Sequence, residues 1–439
     1  MTPAPNHAEP TVVPGYRWWV VVMLWFVCFF NYADRQAISS VFPTLKAEFG
    51  FDKVQLGMIG SSFMWVYAFG APLAGFAADR IQRKSLILGG CVIWSFFTLA
   101  TAWCGKIHSF IVVRALTGLG ETFYFPAAMS LLSDYHDKHT RSKAMSWHQS
   151  AVYAGTILGS WLAAVLAEKM GWRFPFYFFG PIGILLAVVV WQCLREPRRG
   201  AADAATAEAL TAHGAAGGAA LSVQETLAVI FHTPVAPLLM LAFLGANFVA
   251  TVFLTWTPTF LVEKFKYSLS GAGLSGTVYI HLSSAIAVPL AGALADRLAR
   301  SFAAGRMAVQ ITGLVAGSFF VFLVGTTGNT TTLVLAMAVF GLCKGFYDSG
   351  IFASLYDAIE PRARGTAAGI MNTVGWGGGA LGPLFVGLAT KYGRKPTDWE
   401  NMSDAIAWCG AIYLVSAVLI GVAMVWLTRH SRTATAGGR

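Results

Sequence analysis

Charge is scarce in this sequence. Of 439 residues, 12% are Asp, Glu, Lys or Arg, about half the ~25% that a soluble domain carries. With 56% hydrophobic residues, the chain has too little polar surface to cover itself in water, and lipid is its natural solvent. Cysteine is sparse too: Cys28, Cys91, Cys104, Cys193, Cys343 and Cys409 fall singly in apolar segments. Without a CxxC spacing, neither a metal site nor a disulfide framework is expected. No GxSxG, HExxH or P-loop pattern occurs, and the nine histidines do not cluster at metal-ligand spacing. No catalytic residue, metal or cofactor is therefore expected, and an enzyme is set aside. The first fifteen residues are polar and proline-rich, with neither an h-region nor a cleavage site. No cleaved leader is expected, and the first helix serves as its own insertion signal.

A formal net charge of +10 would suggest nucleic acid as a partner of a soluble chain. Here the basic residues sit in short tails and loops between apolar runs. Membrane topology is the better reading, and no nucleic-acid partner is expected.

Long hydrophobic runs are what the sequence has in abundance. A membrane-spanning helix needs roughly 20 mainly apolar residues. Twelve candidates read as spans: 16–43, 53–80, 84–104, 107–134, 140–168, 172–194, 235–264, 269–296, 306–327, 330–357, 364–391 and 403–428. The expected organisation is a tail over 1–15, a six-helix bundle over 16–194, a linker over 195–234, a second six-helix bundle over 235–428 and a tail over 429–439. Within the linker, 222–232 reads equally as a short surface helix or as plain connection. With both termini in the cytoplasm, 18 of the 31 Lys and Arg residues fall inside, 10 outside and three within spans. This asymmetry supports that orientation.

The chain repeats itself. "PLAGFAADRIQR" (72–83) recurs as "PLAGALADRLAR" (289–300), a spacing of 217. "GLGETFYF" (118–125) matches "GLCKGFYD" (341–348) at a spacing of 223, and Arg141 then matches Arg364. Spans 2 and 8, and spans 4 and 10, thus occupy equivalent places in two six-helix halves. A duplicated bundle with a midplane site between its halves is transporter architecture.

The motif Gly75-x-x-x-Asp79-Arg80-x-x-Arg83-Lys84 resembles the loop 2–3 signature of the major facilitator superfamily, with Gln82 where a second glycine is usual. The resemblance covers about 16 to 428. It implies an all-α membrane protein of twelve transmembrane helices in two pseudo-symmetric halves. It also implies that Gly75, Asp79, Arg80 and Arg83, with Asp296 and Arg297 of the shorter copy, latch the halves together on the cytoplasmic side in one conformation. Gly75 would allow close helix approach, and Asp79 suits the positive amino end of a facing helix. The plainer reading is a positive-inside stop signal.

Ionisable groups in mid-span are functional candidates, because each costs roughly 2.5–3.5 kcal/mol to insert at the bilayer centre. They are Asp34 and Arg35 in span 1, Arg114 and Glu121 in span 4, His281 in span 8, and Lys344 and Asp348 in span 10. Asp34 and Arg35, being adjacent, point about 100° apart. Arg114 and Glu121, seven residues apart, share a face. If spans 1 and 4 pack together, two carboxylates and two guanidiniums meet in one cavity. That set suits proton-coupled transport of an anion, since a carboxylate there can load and release a proton while arginine grips a substrate carboxylate. A structural ion-pair network stapling two helices is the alternative.

Asn31-Tyr32-x-Asp34-Arg35, Tyr67 and Arg114-x6-Glu121-x3-Phe125-Pro126 are similar to the anion:cation symporters. "FLTWTPTFLVEKF" (253–265) is similar to their span 7. This resemblance implies proton coupling at Asp34 and Glu121, substrate contact at Arg35, an Arg114–Asp34 pair, and Tyr32 and Tyr67 at the pocket. The same residues resemble Spinster-type lipid transporters, which Gly120-Glu121 favours as Phe125-Pro126 favours the symporters. Proton-driven drug efflux is a further transport alternative, against which Arg35, Arg114 and Lys344 argue.

In the second half Lys344 replaces the equivalent of Glu121, with Asp348 one turn later. It is either a self-neutralising i,i+4 pair or a second anion contact regulated by Asp348. His281 is a candidate relay or substrate donor, or else a packing histidine. His148 and Gln149 are candidates for the cytoplasmic vestibule. In the glycine-rich "NTVGWGGGALGP" (372–383), Asn372 and Trp376 can reach the pocket, and the glycines allow either bending or close packing. The expected protein is a monomeric multi-pass transporter of a small organic anion. Its place is the lipid bilayer of a bacterial inner (plasma) membrane, with the proton as coupling ion and no cofactor.

Overall fold

The computed structural model describes residues 14–137, 139–197, 223–232, 234–302, 304–360 and 363–436. Every regular element among them is a helix. In the first half these are α1 (Pro14–Ser40), α2 (Phe42–Phe49), α3 (Lys53–Arg80), α4 (Arg83–Thr101), α5 (Ile107–Thr122), α6 (Tyr124–Tyr135), α7 (Arg141–Met170) and α8 (Phe174–Cys193). Then come α9 (Val223–His232), α10 (Val235–Phe265), α11 (Leu269–Ser301), α12 (Gly305–Thr326), α13 (Thr330–Asp348), α14 (Ile351–Ala358), α15 (Arg364–Tyr392) and α16 (Asp398–Ala436). Ten stretches are long and apolar enough to cross a membrane. The other two of the twelve expected spans are α5–α6, divided at Phe123, and the glycine-rich α15. Most of the expected linker, 198–222, lies outside the described residues, but Val223–His232 is helical as one reading of it expected.

Two spans break where proline dictates. Span 1 stops at Ser40 instead of 43, and α2 starts afresh with Pro43 in its first turn. Proline lacks an N–H and disfavours helical geometry at the preceding residue. Span 4 breaks at Phe123, because Pro126 cannot donate to the Thr122 carbonyl and its ring would clash there. Elsewhere local capping fixes the ends. Asp52 accepts from the Gln55 amide at 2.8 Å while Gln55 accepts from the Asp52 amide at 2.9 Å, a reciprocal cap that starts α3.

The internal repeat is visible as packing. A methyl group on Gly118 would lie 2.6 Å from the Phe63 carbonyl oxygen, and one on Gly341 would meet the Ile280 carbonyl oxygen. Gly118 and Gly341 are 223 residues apart, and Phe63 and Ile280 are 217 apart. Likewise Gly90 meets the Gly120 carbonyl and Gly313 the Cys343 carbonyl, both pairs shifted by 223. Gly155 on Phe29 repeats as Gly378 on Leu244, which sets the span 1 to span 7 offset at 215. These contacts bring helix backbones together, which is how helices associate in lipid without a hydrophobic driving force.

Helices α3 with α15, and α7 with α11, join the two halves. The face opposite the chain termini is closed. There Lys391 pairs with Asp52 at 2.8 Å, Lys46 with Asp398 at 2.7 Å, and Lys53 with Glu263 at 2.5 Å. Glu168 accepts from the Ser270 amide at 2.9 Å, and a methyl on Gly57 would lie 2.6 Å from the Pro383 carbonyl. Toward the terminal face α3 and α15 part, and neither Gly75 nor Gly369 has anything within 4 Å of an added methyl. The helices therefore form a V that opens on the face carrying the termini.

Burial would raise the Asp52 carboxyl, but the Lys391 ammonium and the Gln55 amide more than offset it and hold it below the usual carboxylate range. This contact is therefore present at neutral pH and lost as pH falls through that lowered value. Lys53, 2% exposed, depends more heavily on Glu263. Glu263→Gln is expected to loosen the closed face. With the exposed Cys193 replaced by serine and the buried Thr390 replaced by cysteine, Glu263→Gln should speed labelling at 390 by an impermeant maleimide several-fold. An unchanged rate would show that the Lys53–Glu263 pair does not hold this face closed.

Candidate functional site

The charges expected at mid-membrane come together on α1 and α5. The approach of Gly118 to Phe63 sets the depth of α5 against α3, and one turn later Glu121 lies beside the carboxyl end of α5. A helix carboxyl end favours a cation nearby. That cation is Arg35, whose Nη2 and Nε donate to Glu121 Oε2 at 2.7 and 3.0 Å. Arg35 is 7% exposed and the Glu121 side chain fully buried.

Four rings surround the Arg35 guanidinium. Their centroids lie 4.6 Å (Tyr32), 4.7 Å (Phe63), 5.1 Å (Tyr67) and 5.3 Å (Trp376) away. Tyr67 and Trp376 contact each other at 4.7 Å across the two halves. Each such contact adds about 0.5–2 kcal/mol without consuming a donor, so the rings hold the cation while leaving its N–H groups for an acid. Phe63 escaped the sequence reading, although it lies four residues before Tyr67 on the same helix face.

The expected Arg114–Asp34 ion pair is not formed. Arg114 reaches the Arg35 carbonyl at 3.5 Å and lies over Phe63, and its Nε has no hydrogen-bond partner. Asp34 is fully buried on the neighbouring face of α1, facing α4. One oxygen accepts from Thr98 at 3.5 Å, and the other has no hydrogen-bond partner. Adjacent residues on a helix do face different neighbours, as the 100° rotation requires.

The profile of the Major Facilitator Superfamily matches residues 24–383 and 282–438. The chain belongs to this superfamily. Among the relatives of this facilitator is the probable galactarate/D-glucarate transporter GudP of Bacillus subtilis (strain 168), 29% identical over 84% of this chain and 85% of that protein. The D-galactonate transporter of Escherichia coli O6:H1 is 27% identical over 92% and 95%. Among solved structures, a bacterial homologue of the human lysosomal transporter Spinster in an inward-facing, unoccupied conformation has a TM-score of 0.78 at 19% identity, covering 94% of this chain and 98% of that one. That likeness shows a shared fold. Family and fold are those of transporters, not of enzymes.

Around this core the facilitator's other candidates divide. Asn372 is half-buried on α15, one turn from Trp376. The α15 glycines pack closely: Thr251 of α10 donates to the Gly379 carbonyl at 2.8 Å, and a methyl on Gly378 would meet the Leu244 carbonyl. Helix α15 runs unbroken through them. His148 is buried against the Tyr124 hydroxyl at 2.8 Å, inside the first half, while Gln149 beside it is exposed. Lys344 pairs with Asp348 along α13, and His281 lies 6.3 Å from the Tyr153 ring of α7.

The described charges of the two motif copies, after spans 2 and 8, bond within each half. Arg83 is buried and pairs with Asp134 and Glu196 of its own half. Asp296 pairs with Arg306 at 2.8 Å. Arg80 lies over the Phe76 ring, and Arg297 is exposed. The Asp79 side chain lies outside the described residues. Gly75 makes no close helix approach in this conformation.

Proposed function

We propose that this facilitator is a proton-coupled symporter of a small organic anion, a sugar acid or similar carboxylate, working by alternating access. The observation that carries this reading is the Arg35–Glu121 pair inside its aromatic ring. The cation suited to a substrate carboxylate is already occupied by a buried carboxylate of the protein. A substrate can take Arg35 only if Glu121 gives it up, and Glu121 gives it up at least cost by accepting a proton. Asp34, Arg35, Arg114 and Glu121 sum to zero when all are ionised. Adding an anion alone would leave an uncompensated buried charge, costing several kcal/mol, whereas adding an anion with a proton leaves the sum unchanged. Asp34, without a cation partner here, is the second proton carrier, and Arg114 becomes its partner when the cavity turns over.

The two bacterial relatives described above are named for galactarate, D-glucarate and D-galactonate, which are sugar acids. The lysine and arginine asymmetry orients the V toward the cytoplasm, so the conformation faces inward. The protein works as a monomer in the inner membrane, with both termini cytoplasmic and no cofactor besides the proton. The test is uptake of labelled galactarate and galactonate into proteoliposomes under an imposed inward proton gradient, with a sodium gradient and a labelled lysolipid as separate arms. Proton-dependent acid accumulation that is lost in Asp34→Asn supports the reading. Sodium dependence would replace the proton, and lysolipid movement without acid uptake would replace the substrate.

A further inference from the structure

We propose that Lys344 receives a second anionic group of the substrate, so that the protein selects small acids with a carboxylate at each end over monocarboxylates. This rests on the reading of Arg35 as receptor for the first carboxylate.

The two halves have diverged unequally. By the offset of 215 residues, Asp34 and Arg35 correspond to Val249 and Ala250. By the offset of 223, Arg114 corresponds to Met337 and Glu121 to Lys344. The second half has no counterpart of the first half's other charges and carries one cation at the mirror position of Glu121. That cation has no opposing helix to pair with, because the place of Arg35 is held by an alanine.

Its carboxylate partner is Asp348, on its own helix. As a stabilising device the pair is poor. A pair one turn apart on a single helix contributes little, far less than it costs to insert its two charges at mid-membrane. Two apolar residues would serve packing better. The arrangement does repeat the logic of Arg35 and Glu121: a cation held ready by an internal carboxylate that a substrate acid can displace. The difference is exposure. The Lys344 and Asp348 side chains are 16% and 30% exposed, against 7% and 0% for Arg35 and Glu121. Asp348 therefore has room to move away from Lys344, whereas Glu121 is enclosed.

The surroundings supply further donors from two other helices. Tyr153 of α7 and His281 of α11 lie within electrostatic reach of Lys344. Ser284, one turn from His281, is fully buried beside Tyr153. On the other side of α7 a methyl on Gly155 would touch Tyr32, whose ring covers Arg35. Helix α7 thus contacts the surroundings of both cations, one from each half.

The experiment compares galactarate with galactonate, a six-carbon dicarboxylate with the corresponding monocarboxylate, in proteoliposomes. The protein is tested unaltered, as Lys344→Met, as Lys344→Met with Asp348→Asn, and as Arg35→Ala. The double variant removes both charges together and leaves no unpaired ion to disturb folding. The ratio of galactarate to galactonate affinity is expected to fall about thirtyfold in both Lys344 variants, the scale of one charge-assisted hydrogen-bonded contact. Arg35→Ala is expected to lose both acids. A ratio unmoved in the double variant would overturn the assignment of Lys344 while leaving the symporter reading intact. Transport of neither acid by the unaltered protein would overturn both.

Discussion

Arg35→Ala is expected to abolish anion accumulation at substrate concentrations that saturate the unaltered protein. The guanidinium offers two N–H groups to one carboxylate, as it does to Glu121 at 2.7 and 3.0 Å. Losing a desolvated charge partner of this kind costs about 2–5 kcal/mol, which is roughly 30-fold to several thousand-fold in affinity. The variant also strands Glu121 in a fully buried position, a cost of about 3–5 kcal/mol to stability if the carboxylate stays ionised. Poor folding would mimic lost binding, so Arg35→Ala with Glu121→Gln is the informative protein. It should unfold near the temperature of the unaltered chain and still fail to bind. Arg35→Lys should not restore uptake, because a point charge lacks the planar fork and stacks less well among four rings. Robust accumulation by the double variant would remove Arg35 from the site.

Much of this site is legible in the residues themselves. Mid-span charges mark it, because burying them without use is costly, and the repeat spacings of 217 and 223 reappear as carbonyl contacts at Gly118, Gly341, Gly90 and Gly313. The breaks at Pro43 and Pro126 follow from the missing N–H of proline, yet hydropathy carries the eye through both, since an apolar run gives no sign of a kink. The pairing of the four charges was beyond sequence reasoning. Periodicity places Arg114 and Glu121 on one face of α5, but not the rotation of α5 about its axis relative to α1. The Gly118–Phe63 contact and the break at Phe123 set that rotation, and the result is Arg35 with Glu121 rather than Arg114 with Asp34. The conformation was illegible for another reason. On the proposed alternating-access reading, the cross-half pairs at Lys391, Lys46 and Lys53 belong to one of two states. A sequence encodes both states, separated by only a few kcal/mol.

Glu121→Gln is expected to separate binding from coupling. In the unaltered protein, substrate and Glu121 compete for Arg35, so anion affinity should rise as pH falls and Glu121 takes up a proton. Glutamine holds no charge with which to compete. Anion binding in the variant should therefore be at least as tight as in the unaltered protein at high pH, and should lose this pH dependence. The part of the tryptophan fluorescence quenching that Trp376→Phe removes is a readout, since that ring lies 5.3 Å from the guanidinium. Transport should divide in the same way. One proton carried with each anion permits about tenfold accumulation per pH unit of gradient, because one unit is 1.36 kcal/mol. Without a titrating competitor the anion can cross in exchange for another anion, but the gradient no longer drives it. Glu121→Gln proteoliposomes should therefore exchange labelled for unlabelled acid and accumulate none. Asp34→Asn should differ, because Arg35 and Glu121 remain paired: its anion binding should keep the pH dependence even though accumulation fails. If Glu121→Gln still concentrates the acid under a proton gradient, then Glu121 is a structural clasp for Arg35 and the coupling proton rides on Asp34 alone.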